Sequence, residues 1–245
     1  MQMVETEAGL FIPNKMGIKT DWFVKKYEDD KALAANDPYE IIHTPRNIIL
    51  DEGAAVIGDL LIGAGAPTVY NNTNARIAVG NAETPTAITG TSITMTNGSS
   101  AVSGIGTSFT TQLAVGDLVR VDSVDTFAEV QSITDNTNLV LTAVFAGATG
   151  TGVGSFIDAP VSTSTDLLGA SKFYKTMEAT YPSRAANVIT FRSIMAAAEA
   201  NFRWLEFSIG NAASGTGDNL NRRLAENGTK VSPQAWTVDV TLTIQ

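Results

Sequence analysis

Hydrophobic and polar residues alternate along several stretches of this chain, with the period of two that predicts β-strands. Residues 236–244 have the most regular pattern, with Trp236, Val238 and Val240 on one side and mostly threonines on the other. One apolar and one polar side predict a strand with one buried and one solvated face, and hence an antiparallel sheet. Shorter stretches with strand character are residues 20–27, 76–80, 187–195 and 202–209.

The connection at residues 196–201, between two of these stretches, is compatible with two structures. Its alanines favour the first turn of a helix. The aromatic strands on either side favour a hairpin loop instead. We predict the hairpin, which makes residues 187–195 and 202–209 neighbours in one sheet.

The period changes to that of a helix at residues 47–63. Apolar residues recur there at spacings of three and four, which places them on one face of an amphipathic helix. These residues are Ile49, Leu50, Ala54, Ile57, Leu60 and Leu61. Gly63 and Pro67 predict where the helix ends. We expect this to be the only substantial helix, with its apolar face packed on a sheet.

The composition also favours a β-rich fold. Hydrophobic residues make up 44% of the chain and charged residues 17%, which is typical of a folded protein rather than a disordered one. The 21 glycines suit tight turns between strands. Long helices would require more glutamate, lysine and arginine.

Residues 86–159 differ from the rest of the chain, because they contain one arginine, Arg120, and many threonines, serines and glycines. The turn sequences Asn97-Gly98 and Gly116-Asp117 separate short strands. The predicted strands are residues 92–96, 118–122, 127–133 and 138–142. Strands of this length and spacing predict a small β-barrel or sandwich of about 70 residues.

We therefore predict an all-β protein: an antiparallel, jelly-roll-like β-sandwich with one amphipathic helix and an inserted small β-barrel or sandwich module. The domains would be an N-terminal arm (1–45), a discontinuous β-sandwich (46–85 with 160–245) and the inserted module (86–159). The arm is expected to be ordered only against a neighbouring protein. The residues predicted to form the core or an assembly contact are Trp22, Val24, Ile77, Val79, Phe191, Phe202, Trp204, Phe207, Trp236, Val238, Val240 and Leu242.

Charge and cysteine content argue against several classes of protein. The net charge is −9 and no cluster of lysines and arginines is present, so nucleic-acid binding is not expected. We interpret the pair Arg222-Arg223, beside Glu226, as a solvated surface pair. The chain has no cysteine, which excludes disulfides and cysteine-ligated metals.

A membrane segment and a secretion signal are not expected either. The longest apolar stretch, residues 54–66, is interrupted by Gly58 and Asp59 and is shorter than the roughly 20 residues of a spanning helix. Residues 1–8 carry two glutamates and no apolar core, unlike a signal peptide.

No catalytic, cofactor or metal site is predicted. His43 is the only histidine, and a general base or metal ligand normally needs a partner. The glycine-rich residues 150–154 lack the following helix of a dinucleotide site, and we interpret them as a flexible domain junction. Glu206 is expected to face solvent. Paired carboxylates for glycoside hydrolysis have no diagnostic spacing among Asp117, Asp122, Asp125 and Glu129.

The outer segments resemble a family of structural proteins of tailed bacteriophages. The resemblance rests on a series of short motifs in the order of that family. They are NARIAVG at residues 74–80, TDL at 165–167, ANFRW at 200–204, Asn221-Arg222, GTK at 228–230 and Trp236-Thr237. The family usually continues Trp-Asn-Glu-Trp-Gly, where this chain has WLEFS at residues 204–208. One aromatic residue replaces another there, so the core role is kept.

The middle region resembles a small β module of phage tail and fibre proteins. Its motifs are TNGS at residues 96–99, Gly-x-Gly-Thr-x-Phe at 104–109, Gly116-Asp117 and Thr-x-Leu-x-Leu-Thr at 137–142. The two resemblances together cover most of residues 74–240. They imply a protein of the virion, assembled in the host cytoplasm, that does not catalyse a reaction.

The resemblance implies partners among other virion proteins, with homo-oligomers expected. We expect a capsid decoration or cement protein that bridges subunits of the major capsid protein. A tail, baseplate or fibre-attachment protein is the alternative. A carbohydrate-binding protein for host attachment, with exposed aromatic residues such as Trp22 or Phe109, is a further alternative. No cofactor is expected for any of these functions.

Overall fold

The computed structural model of the protein describes residues 17–245. About 41% of the chain is strand and 9% is helical, and every pair of adjacent strands is antiparallel. The prediction of an all-β antiparallel sandwich is therefore confirmed.

Eighteen strands and three helices follow one another along residues 18–244. The strands before and after the inserted module are β1 (Ile18–Tyr27), β2 (Glu40–Pro45), β3 (Ile48–Ile49), β4 (Arg76–Gly80), β13 (Lys172–Thr176), β14 (Ser183–Ala185), β15 (Val188–Met195), β16 (Glu206–Gly210), β17 (Asn219–Leu224) and β18 (Ala235–Ile244). The strands within it are β5 (Thr86–Ala87), β6 (Ser92–Met95), β7 (Ala101–Ile105), β8 (Leu118–Val121), β9 (Ala128–Ile133), β10 (Asn138–Leu141), β11 (Gly150–Gly152) and β12 (Gly154–Ile157). The helices are α1 (Asp30–Ala34), α2 (Asp51–Ile62) and α3 (Phe109–Gln112).

Two five-stranded sheets form the sandwich. The strand order is β14-β15-β18-β1-β2 in the first sheet and β13-β4-β16-β17-β3 in the second. Aromatic side chains join the two sheets across the core: the ring centroids of Trp22 and Phe207 are 5.7 Å apart, and those of Trp204 and Trp236 are 4.7 Å apart. Strands from both sides of the inserted module share these sheets, so the sandwich is built from distant parts of the chain.

Strand β1 is an interior strand of the first sheet. It pairs with β18 over ten residues, from Ile18–Ile244 to Tyr27–Ala235, and with β2 on its other edge. The expected N-terminal arm of residues 1–45 does not hold for residues 18–45, because their hydrogen-bonding partners lie in the same chain. Residues 1–16 of that expected arm lie outside the described residues.

Strand β18 is more deeply buried than its alternating pattern predicts. Thr237, on the face expected to be wet, is fully buried. The reason is position, since β18 lies between β15 and β1 and both of its edges are paired. The alternation correctly identifies the core side, where Trp236, Val238 and Val240 are buried.

The predicted hairpin at residues 196–201 is wrong. Strand β15 pairs with β14 and β18 in the first sheet, whereas β16 pairs with β4 and β17 in the second. The connection therefore crosses from one sheet to the other. Buried Lys230 holds it in place, because its Nζ donates to the carbonyl oxygens of Ala196 (2.8 Å) and Glu199 (2.9 Å).

An eight-stranded sheet, in the order β11-β6-β7-β10-β9-β8-β12-β5, makes up the inserted module. All of its strands lie between residues 86 and 157, and it encloses a hydrophobic core of its own around Phe109, Val121 and Phe145. Residues 150–154 are part of this sheet: β11 pairs with β6, and β12 starts at Gly154. The interpretation of these residues as a flexible junction is wrong, since their backbone is paired.

A small core and the ion pairs Arg223–Glu129 and Arg203–Asp125 join the inserted module to the sandwich. Phe127 and Leu118 of the module pack with Leu205 and Leu224 of the sandwich. Across the same boundary, the Nη1 atom of Arg223 lies 3.0 Å from Oε1 of Glu129. These contacts fix the orientation of the module on the sandwich.

The residues predicted for the core or an assembly contact lie inside the sandwich. All are buried except Phe202, which is partly buried and packs against the same cluster. Side chains that are already covered by their own chain are not available to a partner. Any assembly surface must therefore consist of other residues.

Candidate assembly surface

Helix α2 lies on the second sheet and is attached closely to β17. Gly53 packs directly on the strand, because a Cβ atom at this position would come within 2.6 Å of Leu220 Cα. The side chain of Glu52 accepts a hydrogen bond from Asn219 N at 2.6 Å. Val56 is buried beside Gly53. The sequence correctly predicts the helix and its end at Gly63, whose φ of 67° suits a residue without a Cβ. The predicted start is too early, because Ile49 belongs to β3 and Leu50 is the extended residue before the helix begins at Asp51.

The opposite side of α2 departs from the amphipathic pattern. A surface helix normally turns polar side chains outward. Here the outward side is formed by Ala54, Ala55, Gly58, Leu61 and Ile62, all exposed. Leu61 is 81% exposed and Ile62 is 77% exposed. The predicted apolar face packs on the sheet only in part, and the helix remains apolar on its exposed side as well.

A groove runs beside the helix, where the two sheets of the sandwich open at one end. It has a volume of about 350 Å³, and aliphatic and aromatic side chains form most of its wall. Its lining includes Ile18, Ile57, Tyr70, Phe191, Leu242 and Ile244. The hydroxyl of Tyr70 donates to the carbonyl oxygen of Asp218 at 3.2 Å, so its proton is not available to a partner in the groove. We refer to the exposed side of α2 and the rim of this groove together as the α2 surface.

His43 lies on a different part of the sandwich, on the edge strand β2. Its Nε2 is 2.9 Å from Oδ1 of Asp21, and its ring stacks on Phe23 with centroids 4.5 Å apart. Partial burial alone would raise the pKa of Asp21, but hydrogen bonds from Lys19 and His43 outweigh it and lower that pKa. The group links neighbouring residues of β1 and β2. Glu129 and Glu226 line the same surface pocket as His43, and each of these carboxylates is paired with an arginine, Arg223 or Arg203.

Glu206 and Arg222 form an ion pair in the interior of the protein. Neither residue is exposed, and Oε2 of Glu206 lies 2.7 Å from an Nη atom of Arg222. The carboxylate also accepts the backbone N–H groups of Leu168 (2.9 Å) and Gly169 (2.6 Å). The expectation of a solvated Glu206 is wrong, because four donors converge on it where the chain passes over the sheet. The interpretation of Arg222-Arg223 as a solvated surface pair is also wrong, because Arg222 is buried against Glu206 and Arg223 is buried beside Glu129 of the inserted module.

The carboxylates examined for glycoside hydrolysis have structural partners instead. Asp117 is buried and accepts backbone N–H groups from Ala114 and Ala159, both at 2.7 Å. Burial raises the pKa of Asp117, although these two hydrogen bonds act in the opposite direction. Asp125 pairs with Arg203 at 2.7 Å, and Glu129 pairs with Arg223. Among residues 17–245, no group of three histidines or carboxylates is arranged to hold a metal ion.

The aromatic residues proposed for carbohydrate binding are not exposed. Trp22 lies in the core of the sandwich and Phe109 in the core of the inserted module. Sugar rings stack on accessible aromatic faces, so neither side chain is able to provide one in this fold. The carbohydrate hypothesis loses the residues on which it depends.

Comparison of the chain with models of protein families, with curated proteins and with solved structures found no match. Within residues 17–245, no helix has both the length and the apolar character required to cross a lipid bilayer.

Proposed function

We propose that this chain is a non-enzymatic structural protein of a bacteriophage virion, and that it attaches to its neighbours through the α2 surface. The observation that carries the proposal is the exposed and mainly apolar outer side of α2, whose one charged residue is Asp51 at its first position, beside an apolar groove. Clustered apolar side chains on the outside of a folded protein mark contact sites for other macromolecules. The motif resemblance of residues 74–240 supports a phage virion as the assembly in which the contact is made.

The free energy expected from covering the α2 surface suits a contact that is repeated many times in an assembly. Full burial of an exposed leucine or isoleucine contributes about 1.5–3 kcal/mol. Covering Leu61 and Ile62, which are 81% and 77% exposed, would contribute about 2–5 kcal/mol per copy. A single contact of this size is weak, but many copies on one particle multiply it through avidity.

A capsid decoration protein is the form of this proposal that we favour. The inserted module and the α2 surface are parts of one fold, and the Arg223–Glu129 pair and the core around Phe127 hold the module in a fixed orientation. A protein that decorates a capsid needs such a fixed geometry between the surface that contacts its neighbours, which include other copies of itself, and the part that projects outward. The tail or baseplate alternative is supported by the module's likeness to tail and fibre proteins.

The α2 surface is tested by a matched pair of substitutions. Ile62→Asp places a charge on the α2 surface, and Ile105→Asp makes the same chemical change at a residue of the inserted module that is 65% exposed. We expect the Ile62→Asp protein to be depleted from purified particles at least tenfold, and the Ile105→Asp protein to be incorporated normally. Quantitative mass spectrometry of particles from complemented infections measures both. Equal incorporation of the two variants would contradict a role for α2.

The number of copies per particle, obtained from the same mass spectrometry, distinguishes a capsid protein from a tail protein. Hundreds of copies of the wild-type chain per particle support a decoration protein, whereas six or twelve support a tail or baseplate protein. Absence of the chain from mature particles would contradict both forms of the proposal. Turnover of a substrate by the purified protein would contradict its non-enzymatic character.

A further inference from the structure

The outer side of α2 has its small and large residues at opposite ends. Successive residues of a helix are 100° apart, so Ala54, Ala55, Gly58, Leu61 and Ile62 fall within about 60° of one outward direction. The small residues Ala54 and Ala55 come first, Gly58 is central, and the bulky Leu61 and Ile62 come last. A Cβ atom at Gly58 would have no neighbour within 4 Å, so the space above the middle of the helix is open. This shape is complementary to itself when a second helix runs in the opposite direction.

The charges near the helix are compatible with the same arrangement. Asp51 is the only charged residue on the outward side, and it lies at the first position of the helix. In an antiparallel pair the two copies of Asp51 are at opposite ends of the contact, so they do not face each other. Asp59 and Glu52 lie on the flank, about 100–120° away from Gly58. The centre of the contact is therefore free of charge.

We propose that the partner at the α2 surface is a second copy of this chain, bound across a two-fold axis that passes close to Gly58. Leu61 and Ile62 of each copy then pack on Ala55 and Ala54 of the other. A two-fold contact of this kind uses the same patch on both copies and is the commonest form of association in soluble oligomers. The inference rests on the proposed function in one respect, which is that the α2 surface is an assembly surface.

The extent of the surface sets the expected affinity. Together, the outward side of α2 and the adjoining rim of the groove comprise about a dozen residues per copy, fewer than the 20–30 of a standard interface. We therefore expect a dimer that dissociates in the micromolar range, and that becomes stable when many copies are held on one particle. Association should be tested at concentrations from about 1 to 500 μM for this reason.

Cysteine cross-linking gives a direct test, because the wild-type chain contains no cysteine. Gly58→Cys places a thiol next to the expected axis, and Ile105→Cys places one on the inserted module as a control. Under mild oxidation we expect Gly58→Cys to form a disulfide-linked dimer at least tenfold faster than Ile105→Cys. Equal rates, or no dimer from Gly58→Cys, would overturn the proposed axis.

The relative direction of the two α2 helices in the dimer is tested by mixing two single-cysteine variants. In the antiparallel arrangement Ala55 faces Leu61 of the second copy, so a mixture of Ala55→Cys and Leu61→Cys should give mainly the mixed dimer. A parallel arrangement brings identical positions together and would give mainly the two homodimers. Mass spectrometry of the oxidised mixture distinguishes these products, and a majority of homodimers would overturn the proposal.

Sedimentation velocity tests the association itself and its alternatives. We expect the wild type and Ile105→Asp to dimerise and Ile62→Asp to remain monomeric over the same concentrations. A wild type that stays monomeric at 500 μM, or a dimer that Ile62→Asp does not weaken, would overturn the inference. If removal of residues 1–16 converts a monomer into a dimer, that segment covers the α2 surface and the inference is also overturned.

These outcomes are separable from those of the proposed function. A monomeric protein whose Ile62→Asp variant fails to enter particles would leave the virion role intact and assign α2 to a different virion protein. A dimer that is absent from particles would retain the two-fold contact and contradict the virion role.

Discussion

Among residues 17–245, Arg222 is the only cation that contacts the buried carboxylate of Glu206, and its replacement by methionine removes that contact. Methionine has a similar length and fills much of the same space, so the main change is electrostatic. Glu206 keeps its hydrogen bonds from the backbone N–H groups of Leu168 and Gly169. Its negative charge, however, is fully buried and has no other ion-pair partner in the part of the chain that the structure describes.

The expected loss of stability follows from this burial. An ion pair at the surface contributes at most about 1 kcal/mol, whereas removal of one partner from a buried pair costs about 3–5 kcal/mol. Both side chains of this pair are essentially unexposed, so the larger value applies. Arg222→Met should therefore lower the free energy of unfolding by about 3–5 kcal/mol.

A double variant tests whether the two residues act as a pair. In Glu206→Gln with Arg222→Met, neither residue of the pair is charged, and the amide oxygen of glutamine still accepts one backbone N–H. The loss in the double variant should be smaller than the sum of the two single losses by about 1–3 kcal/mol. Additive losses would show that the charges do not interact.

Urea unfolding followed by tryptophan fluorescence is a suitable assay. Trp22, Trp204 and Trp236 are the only tryptophans of the chain, and all three lie in the core between the two five-stranded sheets. The signal therefore reports the sandwich, which contains the ion pair, and not the inserted module. Arg184→Met is the matched control, since Arg184 is exposed and its replacement should change stability by less than about 0.5 kcal/mol.

A loss of less than about 1 kcal/mol for Arg222→Met would refute the reasoning. It would mean that the pair is hydrated in solution, as the sequence alone suggested. A loss equal to that of Arg184→Met would have the same meaning.

Three further predictions concern other parts of the fold. Gly53→Ala should lower the free energy of unfolding by about 1–3 kcal/mol, because the added Cβ would come within 2.6 Å of Leu220. Gly58→Ala, measured at low protein concentration, should raise the free energy of unfolding by up to about 1 kcal/mol, because its Cβ meets no other atom and alanine favours the helix. Equal effects of the two variants in urea unfolding would contradict the packing of α2. Trp204→Ala should cost about 3–5 kcal/mol, since the ring is fully buried, and an unchanged thermal midpoint would show that the aromatic core is misassigned. Asp21 has a lowered pKa, so its carboxylate stabilises the folded state above the unfolded pKa of about 3.9, and this contribution is lost as the pH falls through the lower folded value. Asp21→Asn should therefore lose less stability than the wild type between pH 5 and pH 2 in calorimetry, and parallel pH profiles would refute this assignment.

Local patterns in the sequence are sufficient to predict many of the individual elements. The period of two at residues 236–244 places Trp236, Val238 and Val240 on one side of a strand, and these residues are buried in β18. The three- and four-residue spacing at residues 47–63 predicts α2 with its end at Gly63. Such patterns are informative because strand and helix periodicity depend only on neighbours within a few residues.

The arrangement of these elements is not contained in the local pattern. Residues 187–195 and 202–209 read as one hairpin, yet β15 and β16 lie in different sheets. The connection between the two sheets is held by Lys230, whose ammonium group donates hydrogen bonds to the carbonyl oxygens of Ala196 and Glu199. Lys230 lies about 30 residues further along the chain. No pattern within residues 196–201 reports a contact at that distance.

Burial of charge and exposure of apolar residues were likewise decided by the tertiary structure. Glu206 lies between Leu205 and Phe207, as a surface residue of a strand would, but the backbone N–H groups of Leu168 and Gly169 cover its carboxylate. The apolar period of α2 predicts one covered face, but β17 covers only Gly53 and Val56 and leaves Leu61 and Ile62 outside. Patterns among near neighbours were thus enough to predict α2 and strands such as β4, β15 and β18, but they did not predict β2, β13 or β17. The tertiary structure decided which sides of them are covered, because burial depends on contacts between residues far apart in the chain.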